Sequence, residues 1–384
     1  MTTTATAPIH GAVMRWARED AGLTVEEAAR RIGVNSSKID LWEEDVEDPT
    51  INQLRHAADA YQQNMAFFFV EQDLSTLQTS APTDFRGASH SRVEPILVRE
   101  VKKAEDRRES LIDLFPEPSR FPTITESTVR EDPVRAAAAA REFLDVDVAT
   151  QTSWRDDSRA LREWIHAVED IGALVFQMSR VNVDLAQGLS AHRDPYPIIL
   201  LNGADTVRPR IFTLMHELGH LFMRQGGVCD LWVDDETERL CNRFAACLLL
   251  PADAVRERIP DGVDPVDLVG QLATQFSVSS SAVAVRLREL GLISQEQLDR
   301  QLAIAAARNR RSREEARETS AQSDGGPPFY VLQLRNLGDN YVSNVLQALD
   351  SRDITRVDAS YLLEAKQGTI DKMRAEMARR GTPS

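Results

Sequence analysis

The sequence predicts an α+β protein that is predominantly α-helical. An all-α N-terminal domain comes first, then a middle domain of helices with a small sheet, then a small helical C-terminal region. Three observations carry this. Apolar residues between 9 and 70 recur at helical spacing in short runs broken by glycine turns. Two runs in the middle of the chain, 172–178 (GALVFQM) and 196–201 (YPIILL), are apolar, partly β-branched and bounded by turn residues, as strands are. The remaining apolar residues recur at helical spacing.

At 384 residues the chain exceeds a typical domain of about 100–200 residues. The expected divisions are 1–78, a helical connector at 79–127, a middle domain at 128–300, a linker at 301–328 and a C-terminal region at 329–384. The formal charge of −15 excludes a general polyanion binder and leaves room only for a local basic face. Three cysteines, Cys229, Cys241 and Cys247, make no disulfide framework, which points to a reducing compartment. The N-terminus lacks the basic and apolar regions of a signal peptide. The longest apolar runs fall far short of the ~20 residues that cross a bilayer. A cytoplasmic protein with no membrane partner is expected.

In chain order, Ile9, Val13, Trp16 and Ala17 give a first helix, ended by Gly22. Thr24 opens a second over 25–32, and Glu27 three residues on completes a capping box. Gly33-Val34 turns the chain. Ser36 is the expected cap of a third helix carrying Ile39 and Trp42, and Pro49 the expected start of a fourth. Helix, glycine turn and helix at this spacing make a helix-turn-helix unit. The stretch from Gly22 to Tyr61 resembles the Cro/C1 repressor type, through Gly22-Leu23-Thr24, Ala28, Gly33-Val34, Ile39, Trp42-Glu43, Pro49-Thr50 and Leu54. That resemblance implies a recognition helix at about 36–43, with Ser36, Ser37 and Lys38 as candidate contacts to operator DNA. The charge pulls the other way. Residues 1–78 hold six Lys/Arg against thirteen Asp/Glu, a net of −7. Asp40, Glu43, Glu44 and Asp45 would repel phosphates, whose neutralisation supplies most DNA affinity. Protein docking or homodimerisation is the other role open to this domain. Arg308, Arg310, Arg311 and Arg313 read as added phosphate contacts or as a solvated helix face.

The middle domain opens on Asp132-Pro133, a cap followed by proline in the first turn. An amphipathic helix follows over 154–168, then the two strands. Helices are expected at 211–224, 236–250, 266–276 and 280–290, then an Ala/Arg/Glu helix from 305 that frays into the linker. The chemistry lies in His216-Glu217-Leu218-Gly219-His220. On a helix, residues four apart share a face, so two imidazoles can reach one zinc ion. The Glu between them is placed to act as general base on a water. Glu238 and Asn242 are again four apart. Glu238 can complete the ligand set or be a solvated residue beside Arg239. Asn242 can accept the N–H of a ligand imidazole, or cap or pack. Cys241 and Cys247 read as packing residues. Cys229 reads as a loop thiol, with oxidation sensing as the alternative.

These stretches are similar to the ImmA/IrrE family of zinc metallopeptidases: PIILLN at 197–202, FTLMHELGH at 212–220, ERLCNRFAACLLLP at 238–251 and FSVSSSAVAVRLRELGLI at 276–293. The resemblance implies a zincin-like metallopeptidase domain with one Zn²⁺ per chain. His216, His220 and Glu238 would be its ligands and Glu217 the catalytic base. It further implies cleavage of a repressor-type regulatory protein in a stress, mobile-element or toxin–antitoxin setting, with activity conditional on a trigger. The alternative is a transcription regulator or antitoxin-like protein that docks a neighbour-encoded small protein through an inert zinc domain. In hydrolysis, a water acidified by zinc attacks the scissile carbonyl while Glu217 takes its proton and passes it to the leaving amine. His192 and Tyr196 are candidates for oxyanion or substrate contacts. The run at 196–201 is expected to be an edge strand that holds substrate by strand addition.

Overall fold

The computed structural model describes residues 6–21, 23–61, 63, 65–69, 95–115, 121–124, 126–154, 156–179, 181–223, 235–322 and 328–380. Its contacts divide into two compact units, residues 1–106 and 107–384.

The first unit holds helices α1 (Gly11–Asp20), α2 (Val25–Ile32), α3 (Ser36–Glu43) and α4 (Ile51–Tyr61), then a short 3-10 turn at Met65–Phe69. Met14, Ile39, Trp42, Leu54, Tyr61 and Phe68 fill its core. The predicted capping box is present: Thr24 Oγ1 accepts from Glu27 N–H, and Glu27 accepts from Thr24 N–H. Two helix starts differ from expectation. α3 is capped by Asn35, whose side chain accepts from Ser37 N–H, so Ser36 is already inside the helix. α4 begins at Ile51 rather than at Pro49, with Thr50 and Gln53 exchanging side-chain and backbone hydrogen bonds across its first turn. Glu43 also departs from its reading as a phosphate-repelling charge. It is buried and accepts from Arg18 Nε at 2.6 Å and Arg15 Nε at 3.3 Å. Gly22, residues 70–78 and the first part of the expected connector, 79–94, lie outside the described residues.

Helix α5 (Pro95–Leu114) spans the division. The second unit continues with α6 (Glu126–Glu131), α7 (Pro133–Leu144), α8 (Val148–Ser153) and α9 (Asp157–Asp170). Asp132 caps α7 as predicted, accepting from Arg135 N–H. The amphipathic helix starts later than expected, because Asp156 caps α9 and Trp154 ends α8.

Three strands follow: β1 (Leu174–Met178), β2 (Gly188–Ala191) and β3 (Ile198–Asn202). β3 lies in the middle, parallel to β1 from Leu174↔Ile198 and antiparallel to β2 from Gly188↔Leu201. Two corrections result. β2 was not anticipated, since Gly-Leu-Ser-Ala has neither β-branching nor alternation and is a strand only through its pairing. And β3 is no edge, because it lies between β1 and β2 and only those two strands are at the edges of the sheet. β1 is closed off on its far side by the turn at Gly338, where a Cβ would stand 2.5 Å from Val175 O.

Helices α10 (Val207–Phe222), α11 (Asp235–Leu249), α12 (Ala252–Arg256), α13 (Val269–Gln275) and α14 (Ser280–Glu289) complete the middle of the chain. α10 and α11 pack through Phe222 and Phe244, with ring centroids 6.0 Å apart. Three polar side chains, Gln151 and Arg286 buried and Arg141 partly so, pin the end of α11. Arg141 Nε donates to Leu248 O, Gln151 Nε2 to Leu249 O and Arg286 Nε to Leu250 O, just before Pro251 stops the helix. α15 (Gln295–Gln322) runs through much of the segment expected as a linker. The C-terminal region is α16 (Phe329–Leu337), α17 (Asp339–Ser351), α18 (Arg356–Leu362) and α19 (Gln367–Arg380). It docks on β1 through Tyr341, edge-on to Phe176 at 5.8 Å, and through Asn336, which donates to Ser179 Oγ at 2.8 Å. Among the described residues, no helix is long and apolar enough to cross a membrane.

Candidate metal centre

α10 presents His216 and His220 one turn apart, and α11, held at its end by Arg141, Gln151 and Arg286, brings Glu238 to the same point. His216 Nε2 and His220 Nε2 are 3.0 Å apart. Glu238 Oε2 lies 3.2 Å from the first, and Glu238 Oε1 lies 3.3 Å from the second. The three side chains form one cluster of metal-ligating atoms. Their fit to an ion can be tested on this triangle. Four ligands around an ion at the 2.0–2.1 Å typical of zinc have edges of about 3.3 Å, and the observed edges match that size. Two neutral imidazoles and a carboxylate also suit a borderline divalent ion. Burial lowers the His220 pKa, which favours the neutral, ligating imidazole. Hydrogen bonds from His216, then from His220, hold the Glu238 carboxyl down at about 2, so it is ionised across the working range.

Around the cluster, Asn242 Oδ1 lies 3.1 Å from His216 Nδ1, the geometry in which the amide accepts the imidazole N–H and leaves Nε2 for a ligand bond. Glu217 is 1% exposed and sits between α10 and β2, where Ser190 Oγ donates to its Oε2 at 2.7 Å. Neither Ser190 nor Gly188 was singled out from the sequence. A Cβ at Gly188 would stand 2.5 Å from Thr213 Cγ2 and 3.0 Å from Glu217 Oε1, so only glycine lets the strand approach the helix here. The sequence ahead of 188, VNVDLAQ at 181–187, gives no hint of its spatial neighbours.

An open cleft of about 540 Å³ exposes this centre, lined by Gly188, Phe212, His216, Glu217, Glu238 and Asn242 among others. His192 and Tyr196 are not among its lining residues. They lie beyond the opposite end of β2, past Ala191, and Tyr196 follows the Asp194-Pro195 peptide with φ of 62°. The structure therefore brings together His216, Glu217, His220, Glu238 and Asn242 and leaves those two aside. Cys241 and Cys247 are buried packing residues on α11, and Cys229 lies outside the described residues. In the first unit, Ser36, Ser37 and Lys38 are solvent-accessible on the first turn of α3, and Lys38 is paired with Glu47.

An apolar helix pair with a His-His-Glu cluster and a buried acid beside a cleft defines a metallopeptidase-like domain. In this chain it is joined to a helix-turn-helix domain. Residues 169–288, which contain every residue of the cluster, match the peptidase family described as the IrrE N-terminal-like domain. Residues 11–64 match a helix-turn-helix domain family. No curated protein matches the chain.

Proposed function

We propose that the protein is a zinc-dependent endopeptidase that cleaves a repressor-type regulatory protein, with its activity tied to gene control by the helix-turn-helix domain. The observation that carries this is the convergence of three ligating atoms within ion-binding distance, with Glu217 one residue from His216 and open to the same cleft. His216, His220 and Glu238 would hold one zinc ion per chain. When bound, zinc supplies an acidified water and polarisation of a carbonyl oxygen. Glu217 receives the proton of the attacking water and delivers it to the leaving amine. Ser190 fixes the carboxylate of Glu217, and Asn242 fixes the ring of His216. Substrate backbone would lie along β2, the sheet edge beside the cleft.

The burial of Glu217 and its bond to Ser190 favour a second reading, in which the chain is a DNA-binding regulator or antitoxin-like protein whose metal domain senses or docks. Mass spectrometry of neighbour-encoded proteins co-expressed with wild type and with Glu217→Gln separates the two. A fragment that depends on Glu217 supports proteolysis. Intact partners, with an operator footprint unchanged in Glu217→Gln, support the regulator and overturn the peptidase.

A further inference from the structure

A second cavity, of about 500 Å³, lies in the second unit between α9, β1, the start of α10 and the C-terminal helices α16 and α19. Part of its wall is apolar, from Leu161, Ile165 and Val331. The rest is strongly basic. Five arginines line it, Arg162, Arg210, Arg335, Arg379 and Arg380, against two carboxylates, Asp339 and Glu376. Both carboxylates are already engaged: Glu376 with Arg379 at 2.7 Å and Arg380 at 3.2 Å, Asp339 with Arg380 at 3.4 Å. Arg162, Arg210 and Arg335 have no carboxylate partner among the described residues. In a chain of net −15 this local excess of three positive charges runs against the overall balance.

The two inner arginines are the decisive ones. Arg210 is 8% exposed; it donates through Nη1 to Gln177 Oε1 at 2.8 Å, while its Nε is buried without a partner. Arg335 Nε is likewise buried and unpartnered. Burial and then the nearby Arg335 press the Arg210 guanidinium below its ordinary value, and the charge of Asp205 offsets them only in part. Two such cations without a counter-ion are costly in a low-dielectric wall, and an anion between them removes that cost. Guanidinium forks match phosphate oxygens in pairs, and three uncompensated charges suit a dianion better than a single carboxylate. The volume is that of a small-molecule site, and the apolar residues give an organic body a surface to lie on.

We propose that this cavity binds a phosphate-bearing organic small molecule, held by Arg210 and Arg335 with Arg162 at the mouth. Because Arg210 and His216 share α10, the ligand would rest on the helix that carries the candidate metal centre.

The test is calorimetry and thermal unfolding of the full-length, zinc-loaded protein at low salt, with AMP and inorganic phosphate as probes. AMP is expected to bind once per chain and raise the unfolding temperature, with inorganic phosphate at least about tenfold weaker. Arg335→Met should weaken AMP by about tenfold or more, as expected for loss of charged hydrogen bonds. Without a probe it should be no less stable than wild type, since a repulsion has been removed. Arg162→Met, at an exposed position, repeats the affinity test if Arg335→Met does not fold. Inorganic phosphate binding as tightly as AMP overturns the organic part of the proposal. No binding by wild type, or AMP affinity unchanged in the variants, overturns the site.

Discussion

Ser190 Oγ and Glu217 Oε2 are joined by a buried 2.7 Å hydrogen bond that ties the sheet to the helix of the candidate metal centre. The hydroxyl fixes where the carboxylate points, so its loss should act on the rate of the chemical step. Ser190→Ala is expected to lower kcat about tenfold with KM within twofold and zinc content unchanged. Glu217→Gln should lower kcat by 100-fold or more, in the range of a lost general base. Both are read by fragment formation on the identified substrate. Full kcat in Ser190→Ala would show that the bond does not position the base.

Gly188 sets the distance between β2 and α10. Its replacement by alanine drives a Cβ into Thr213 Cγ2 at 2.5 Å and against Glu217 Oε1 at 3.0 Å. Gly188→Ala should cost about 1–3 kcal/mol, as overpacking does, and lower activity as well. Adding Thr213→Ser removes the methyl that is struck. The double variant should recover most of the lost stability in urea unfolding while activity stays low, because Glu217 is still displaced. No recovery would mean that the strain lies elsewhere.

Metal content tests the cluster directly. Wild type should carry one zinc ion per chain by elemental analysis, and His216→Ala/His220→Ala none. Asn242→Ala keeps all three ligands but leaves His216 Nδ1 without its 3.1 Å partner. Zinc affinity, measured by competition with a chelator, should then fall 10–100-fold, the range for such supporting contacts. Unchanged affinity would reduce Asn242 to a bystander.

Much of this was legible in the sequence, and what was missed has a common cause. The His-Glu-x-x-His spacing, Glu238 four residues ahead of Asn242, and the caps at Thr24 and Asp132 are local patterns, readable from neighbours along the chain. β2 was missed because its four residues carry no pattern of their own. Ser190 and Gly188 gain meaning only from α10, more than twenty residues further on. β3 was read as an edge because a single strand does not reveal how many partners it has. Arg141, Gln151 and Arg286 look like surface residues until their bonds to the end of α11 are seen.

Glu43 shows the same limit and yields a prediction. As sequence it is one more acid on a recognition helix. In the fold it is nearly buried and neutralises Arg18 and Arg15 from α1. Three of the six basic residues counted for this domain are thus spent internally, Lys38 on Glu47 being the third. Glu43→Ala strands Arg18 in the interior and should destabilise the first unit by about 3 kcal/mol, as broken buried pairs do. Denaturant unfolding checks this, and a loss below about 1 kcal/mol would mean that the pair is solvated in solution.

The docking of the C-terminal helices on β1 should depend on pH through Glu169. Its carboxyl is buried under the turn at Gly338 and faces Asp339 and Asp170, with His166 Nδ1 4.0 Å away. Backbone N–H groups of Asn340 and Val175 bond to it, but burial first, and then Asp339, raise its pKa well above the ordinary carboxylate value. A folded-state pKa above the unfolded one means that folding favours the protonated form. The stability this gives is complete below about pH 4, where the carboxyl is protonated in both states. It is lost as pH rises through the folded value, because the unfolded chain has already ionised. Glu169→Gln keeps the shape and cannot ionise. It should match wild type in urea midpoint at pH 4 and have the higher midpoint at pH 8. Gly338→Ala should be destabilised at both pH values, because its added Cβ meets Val175 O at 2.5 Å whatever the charge on Glu169. If Glu169→Gln were less stable than wild type at pH 8, the carboxylate would be serving the dock as an anion, and the direction argued here would be reversed.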